Sequence, residues 1–165
     1  MRKITPCLWF DNQAEEAVNF YVSVFSARGR SSKVLDVARY GEEGAKVSGM
    51  PKGTVMTMTF QLDGQEFMAL NGGPQFKFTE AVSFIVDCKT QEEVDEFWKK
   101  LSEGGEEGPC GWVKDKYGLS WQIVPTILTE ILQDKDPKKA ERAMKAMLQM
   151  KKIDIDGLKK AYAQK

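Results

Sequence analysis

Not one histidine occurs among the 165 residues. That removes the side chain that most often shuttles protons near neutral pH and most often ligates a metal ion. Cysteine is scarce: Cys7, Cys88 and Cys110 are odd in number, widely spaced and without a CxxC pair. Neither a disulfide framework nor a zinc knuckle is predicted, and the thiols are expected to be reduced. No uninterrupted apolar run approaches the roughly 20 residues of a membrane helix. Met1 to Pro6 leads into strand-like sequence without the apolar stretch and cleavage site of a secretory signal, which predicts a cytoplasmic protein. An excess of either charge is also missing, since 24 Lys and Arg face 24 Asp and Glu. The balance hides an asymmetry, because residues 135–165 hold ten basic against four acidic residues. Aromatics are few in that basic tail, so a solvated helix face is expected there and nucleic acid is not an expected partner.

The residues that are present read as a globular chain, with 42% hydrophobic and 29% charged. Ile4, Pro6, Leu8 and Phe10 alternate with Thr5, Cys7 and Trp9, the pattern of a first strand with two unlike faces. Asn12-Gln13-Ala14-Glu15 has capping-box spacing. Ala17, Phe20, Tyr21, Val24 and Phe25 then predict an amphipathic helix to about Phe25. A strand is expected over Lys33 to Tyr40 and a loop over Gly41 to Gly53. Val55 to Leu62 and Gln65 to Asn71 flank Asp63-Gly64, a strong two-residue hairpin signal. That turn sets Phe60 opposite Phe67 and Thr59 opposite Met68. Met58, Phe60, Phe67 and Ala69 then share one face, while Thr57, Thr59, Met68 and Leu70 form a mixed face suited to a cavity wall.

The pattern repeats. Ala81 to Cys88 is a predicted strand, Thr90 and Glu93 a capping box, and Val94, Phe97, Trp98 and Leu101 an apolar helical stripe that ends at Gly104-Gly105. Strands are expected over Cys110 to Lys114 and Leu119 to Val124. Phe97-Trp98 stands in the second half where Phe20-Tyr21 stands in the first, an internal repeat of strand, capped helix and strands. Beyond it, Ile127 to Leu132, the start signal Asp136-Pro137 with the stripe Ala140, Ala143, Met144, Met147 and Leu148, and Gly157 to Tyr162 predict three helices.

These halves resemble the glyoxalase, bleomycin-resistance and ring-cleaving-dioxygenase superfamily, known as vicinal oxygen chelate. Ala14-Glu15-Glu16-Ala17, Leu70-Asn71-Gly72-Gly73-Pro74, Cys110-Gly111-Trp112 and Trp121-Gln122-Ile123-Val124-Pro125 are similar to its PhnB-like branch. The resemblance implies an α+β fold of paired β-α-β-β-β modules, whose curved mixed sheet encloses a cavity, often in a homodimer. The expected domain spans residues 1–125, with halves of about 1–74 and 75–125, and residues 126–165 form a helical extension. Metal-dependent relatives hold a divalent ion on inward His and Glu side chains. The matched positions here are near Thr5, Met68, Ala81 and Gln122, none of them a carboxylate or imidazole, so no metal and no cofactor is expected.

Strand parity with this resemblance yields a ligand-binding set of Thr5, Trp9, Met68, Asn71, Ser83, Trp112 and Gln122, and no catalytic residue is assigned. Gln122 stands out, because an amide in a mostly apolar cavity needs a partner. The expected function is metal-independent binding of a small molecule, by analogy with resistance proteins that sequester antibiotics, in a homodimer without membrane or nucleic-acid partners. The alternative is a metal-independent lyase, isomerase or transferase drawing on Glu66, Tyr40, Tyr117 or a cysteine. The branch is also associated with demethylubiquinone methylation. A Rossmann-like methyltransferase needs a Gly-rich strand-to-helix turn, and Pro74, Phe76 and Phe78 make Asn71-Gly72-Gly73-Pro74 a loop instead.

Overall fold

The computed structural model describes residues 4–164. The chain forms two compact units, one ending at Phe78 and the other beginning at Thr79. The first contains β1 (Cys7–Phe10), α1 (Ala14–Ser26), β2 (Lys33–Arg39), α2 (Glu42–Ser48), β3 (Val55–Leu62) and β4 (Gln65–Asn71). The second contains β5 (Ser83–Cys88), α3 (Gln91–Ser102), β6 (Glu106–Glu107), β7 (Trp112–Lys114) and β8 (Ser120–Pro125), then α4 (Thr126–Leu132), α5 (Pro137–Met147) and α6 (Ile155–Ala163).

Each unit carries its own four-stranded sheet, ordered β1-β4-β3-β2 and β5-β8-β7-β6. In both, the first strand pairs parallel to the last and the rest are antiparallel. The internal repeat is therefore a repeat of topology. Between β3 and β4, Asp63 and Gly64 adopt φ of 48° and 83°, the left-handed pair of a type I′ turn. The resulting register is the predicted one, with Phe60 opposite Phe67 and Thr59 opposite Met68.

Helix periodicity decides which face of each sheet is covered. In α1 the stripe Ala17, Val18, Tyr21, Val24 and Phe25 is buried, as are Leu8, Phe10, Met58, Phe60, Phe67 and Ala69 on the sheet. In α3, Val94, Phe97, Trp98 and Leu101 are buried together with Val86, Cys88, Val113, Trp121 and Ile123. Thr90 caps α3 as predicted: its side chain accepts from the Glu93 amide at 3.3 Å, while the Glu93 carboxylate accepts from the Lys89 amide at 2.6 Å.

Four local readings need correction. The expected loop after β2 holds the short helix α2, on which no residue is buried, so it offers no apolar stripe to read. Asn12 does not cap α1; Gln13 occupies the N-cap without a side-chain bond, and the cap comes from Asn71. Ala81 and Val82 precede β5 rather than belonging to it. Cys110 and Gly111 stay outside β7 because both have positive φ, 55° and 84°. The two-residue strand β6 has no apolar alternation that could have announced it.

The tail is tied to the second sheet. Leu128, Ile131, Ala143, Ile153 and Leu158 make a small core, with Met147 and Met150 packed against it. Backbone amides of Cys110 and Gly111 donate to the carbonyls of Met150 and Lys151 at 2.8 and 2.7 Å. The Gln91 side chain donates to the Ile153 carbonyl and accepts from the Ile155 amide. Asp136 and Asp154 cap α5 and α6.

Candidate functional site

The uncovered face of the second sheet gathers polar and aromatic side chains in rows. Residues directly opposite across paired strands present their side chains on the same face. Ser83 pairs with Ser120, Ser120 with Lys114, and Lys114 with Glu106, so one row crosses all four strands. In the next row Ile85 pairs with Gln122 and Gln122 with Trp112. Gln122 is turned to this face because Leu119, Trp121 and Ile123 are buried on the other. Its amide Nε2 donates to Ser83 Oγ at 2.9 Å.

A cavity of 380 Å³ opens along the first row, with Trp112, Val113, Pro109 and Ser120 among its walls and Glu80, Glu106, Glu107 and Lys114 as its ionisable lining. The Lys114 ammonium is hydrogen-bonded to Glu80 and lies 4.0 Å from Glu106. The Lys114 contact holds the Glu80 carboxyl below its ordinary range, and the same contact raises the lysine. Glu107 accepts from Trp98 Nε1 at 2.9 Å. Ser120 is 1% exposed, and among the described residues its hydroxyl has no hydrogen-bond partner. A buried hydroxyl in this state is unusual, since most find a partner in protein or water.

Asp115 shapes this site from beneath. It is 2% exposed; its Oδ1 accepts from the amides of Tyr117 and Leu119 at 2.9 and 3.0 Å, and Oδ2 accepts from Trp121 Nε1 at 2.8 Å. The carboxylate thus fixes the turn between Lys114 and Ser120. Sequence reasoning overlooked Asp115 and Ser120. An Asp two residues before an amide it could accept from was the available signal for the first.

The first unit places its candidates differently. Trp9 and Met68 lie on the uncovered face of its sheet, where the pairs Trp9 with Leu70 and Met68 with Thr59 run. Trp9 Nε1 donates to the Gly73 carbonyl at 2.8 Å, and its ring meets Phe76 edge-on at 5.0 Å. A Cβ on Gly72 would fall 2.2 Å from the indole, so only glycine lets the chain pass there. Thr5 is exposed and precedes β1. Asn71, expected in the ligand-binding set, is buried on the helix-covered face, accepting from the Ala14 amide at 2.8 Å and donating to the Val55 carbonyl at 3.0 Å. The Tyr40 hydroxyl donates to the Asn71 carbonyl at 2.6 Å. Both residues are structural here.

The donor chemistry for a divalent ion is not that of the metal-dependent relatives. Ala81 has no donor atom, Met68 offers a thioether, Thr5 a hydroxyl, and Gln122, whose Nε2 donates to Ser83, one neutral carbonyl oxygen. Among the described residues no three His, Cys, Asp or Glu side chains group so that they could hold a metal. Desolvation of its sulfur pushes the Cys7 thiol up from the ordinary value.

Paired β-α-β-β-β modules with helices on one face of each sheet define the vicinal oxygen chelate class of proteins. Within it, the chain belongs to the PhnB-like family described as 3-demethylubiquinone-9 3-methyltransferase, whose model matches residues 2–124. A PhnB protein from Bacillus cereus, given the same methyltransferase name, is 39% identical; the match covers 76% of this chain and 100% of that one, with a TM-score of 0.65. Two more distant structures share the fold. Protein PA1353 from Pseudomonas aeruginosa is 18% identical over 76% of this chain and 98% of its own, with a TM-score of 0.59. The fosfomycin resistance protein FosX from Listeria monocytogenes is 14% identical over 81% and 98%, with a TM-score of 0.55. No curated protein matches the sequence. Among the described residues no helix is long and apolar enough to cross a membrane.

Proposed function

We propose that the protein binds a small organic molecule on the uncovered face of its second sheet, without a divalent metal. The observation that carries this reading is the 380 Å³ cavity walled by Trp112 and by Ser120, whose buried hydroxyl lacks a partner. Ser83 and Gln122 continue the same face and supply further hydrogen-bonding groups. Trp9 and Met68 occupy the equivalent face of the first sheet, and ligand contact on that face is a separate part of the proposal. Homodimerisation is part of the proposal, supported by the exposed Leu35 and Val37 on edge strand β2.

Of the groups named for the enzyme reading, the Tyr40 hydroxyl is bound to a carbonyl and the Cys7 thiol is raised. The family description names a methyl transfer. Here the strand-to-helix turns at residues 11–13 and 89–90 contain no glycine and the turn at 40–41 contains only Gly41, not a Gly-rich run, so a Rossmann-like donor site is not proposed.

The test is a thermal-shift screen of small molecules with and without EDTA, followed by calorimetric titration of the hits. Stabilisation is expected to be the same in EDTA. Trp112→Ala and Gln122→Leu are each expected to weaken binding by about 1 to 3 kcal/mol while leaving the fold intact. Hits that vanish in EDTA, or that bind both variants unchanged, overturn the reading. Metal analysis of the purified protein is a separate check: no stoichiometric Zn, Mn, Fe or Ni is expected, and a tightly held equivalent lost in Gln122→Ala contradicts it.

A further inference from the structure

The ionisable lining of the cavity is unequal, with Glu80, Glu106 and Glu107 against Lys114 alone. Lys114 is shared between Glu80 and Glu106, while Glu107 accepts from the uncharged indole of Trp98. The Glu107 carboxylate lies on the helix-covered face, so an anionic ligand would meet the carboxylates of Glu80 and Glu106 and a lysine already held by both. A cation meets the opposite situation. It finds carboxylates bound to a partner that is itself exchangeable, because Glu80 and Glu106 are 61% and 78% exposed. Trp112 and Pro109 give the lining its apolar part, and an indole suits a cation or an aromatic body. The unpartnered Ser120 hydroxyl can accept an N–H from such a ligand.

We infer that the cavity takes a cationic amine with a flat apolar body, its ammonium replacing Lys114 at Glu80 and Glu106. The inference rests on the proposed binding function of this face and adds the ligand's charge. It predicts that Lys114 competes with the ligand, so removing the lysine helps binding while removing the carboxylates hurts it.

Three probes with one indole body separate charge from shape: tryptamine, the neutral tryptophol and the anionic indole-3-propionate. Each is titrated by heteronuclear NMR against the full chain, observing amides of Trp112 to Lys114 and Ser120. Tryptamine is expected to bind tightest and indole-3-propionate weakest. The double variant Glu80→Gln with Glu106→Gln should weaken tryptamine by roughly 3- to 10-fold and leave tryptophol unchanged, and Lys114→Met should tighten tryptamine by about 3-fold. Both effects should shrink as salt is raised. All three side chains line the cavity, and an unchanged NMR spectrum elsewhere confirms that each variant folds. Equal binding of the three probes, or tighter binding of the anion, overturns the amine inference and leaves the pocket reading standing. Shifts from none of them at millimolar concentration overturn both.

Discussion

Asp115→Ala is expected to be among the most destabilising single changes in the second unit, lowering the unfolding free energy by about 3 kcal/mol or more. The carboxylate satisfies three donors at once: the amides of Tyr117 and Leu119, and the Trp121 indole. Truncation leaves them facing a space that is nearly closed to solvent, and each orphaned buried donor costs on the order of 1 to 3 kcal/mol. Asp115→Asn separates hydrogen bonding from volume. Its carbonyl oxygen can still accept from the two amides, but its NH₂ then opposes the Trp121 N–H, so a smaller loss is expected. Urea unfolding followed by tryptophan fluorescence measures both. A loss under 1 kcal/mol for Asp115→Ala would show that the turn holds itself. Because the turn joins Lys114 to Ser120, the alanine variant should also lose ligand affinity even where it remains folded.

A second large effect is expected from Asn71→Ala, at about 2 to 4 kcal/mol. Asn71 connects three elements: its Oδ1 receives the first amide of α1, its Nδ2 reaches β3 at Val55, and its carbonyl receives the Tyr40 hydroxyl. The alanine abolishes the first two, leaving a helix amide and a strand carbonyl unpaired in the interior. Native-state hydrogen exchange localises the cause. The Ala14 amide should lose protection by more than the amides in the middle of α1. Uniform loss across the helix would point to lost packing volume instead. Tyr40→Phe removes only the third bond and is expected to cost about 1 kcal/mol.

Much of this molecule is written in short-range patterns. The turn at Asp63-Gly64 set the β3–β4 register, because two successive left-handed residues admit only one tight hairpin and side chains alternate strictly along a strand. The stripes of α1 and α3 followed from 3.6-residue periodicity, and the Thr90 cap from its spacing to Glu93. Gln122 was placed on the uncovered face by parity alone, since Trp121 and Ile123 are apolar and had to face a helix. The motifs at residues 14–17, 70–74, 110–112 and 121–125 sufficed for the family. Tertiary structure decided the rest. Asn71 could be read as a turn residue from its neighbours, yet its amide is claimed by Ala14, 57 residues away. The row of Ser83, Ser120, Lys114 and Glu106 exists only because β5 pairs parallel with β8 and β7 pairs with β6, and β6 is two acidic residues long. Period-2 and period-3.6 patterns record which face of an element is dry, because that depends on each residue's own transfer from water. They do not record which distant strand lies alongside, and in this protein that pairing is what brings a buried hydroxyl, a lysine and two carboxylates into one cavity.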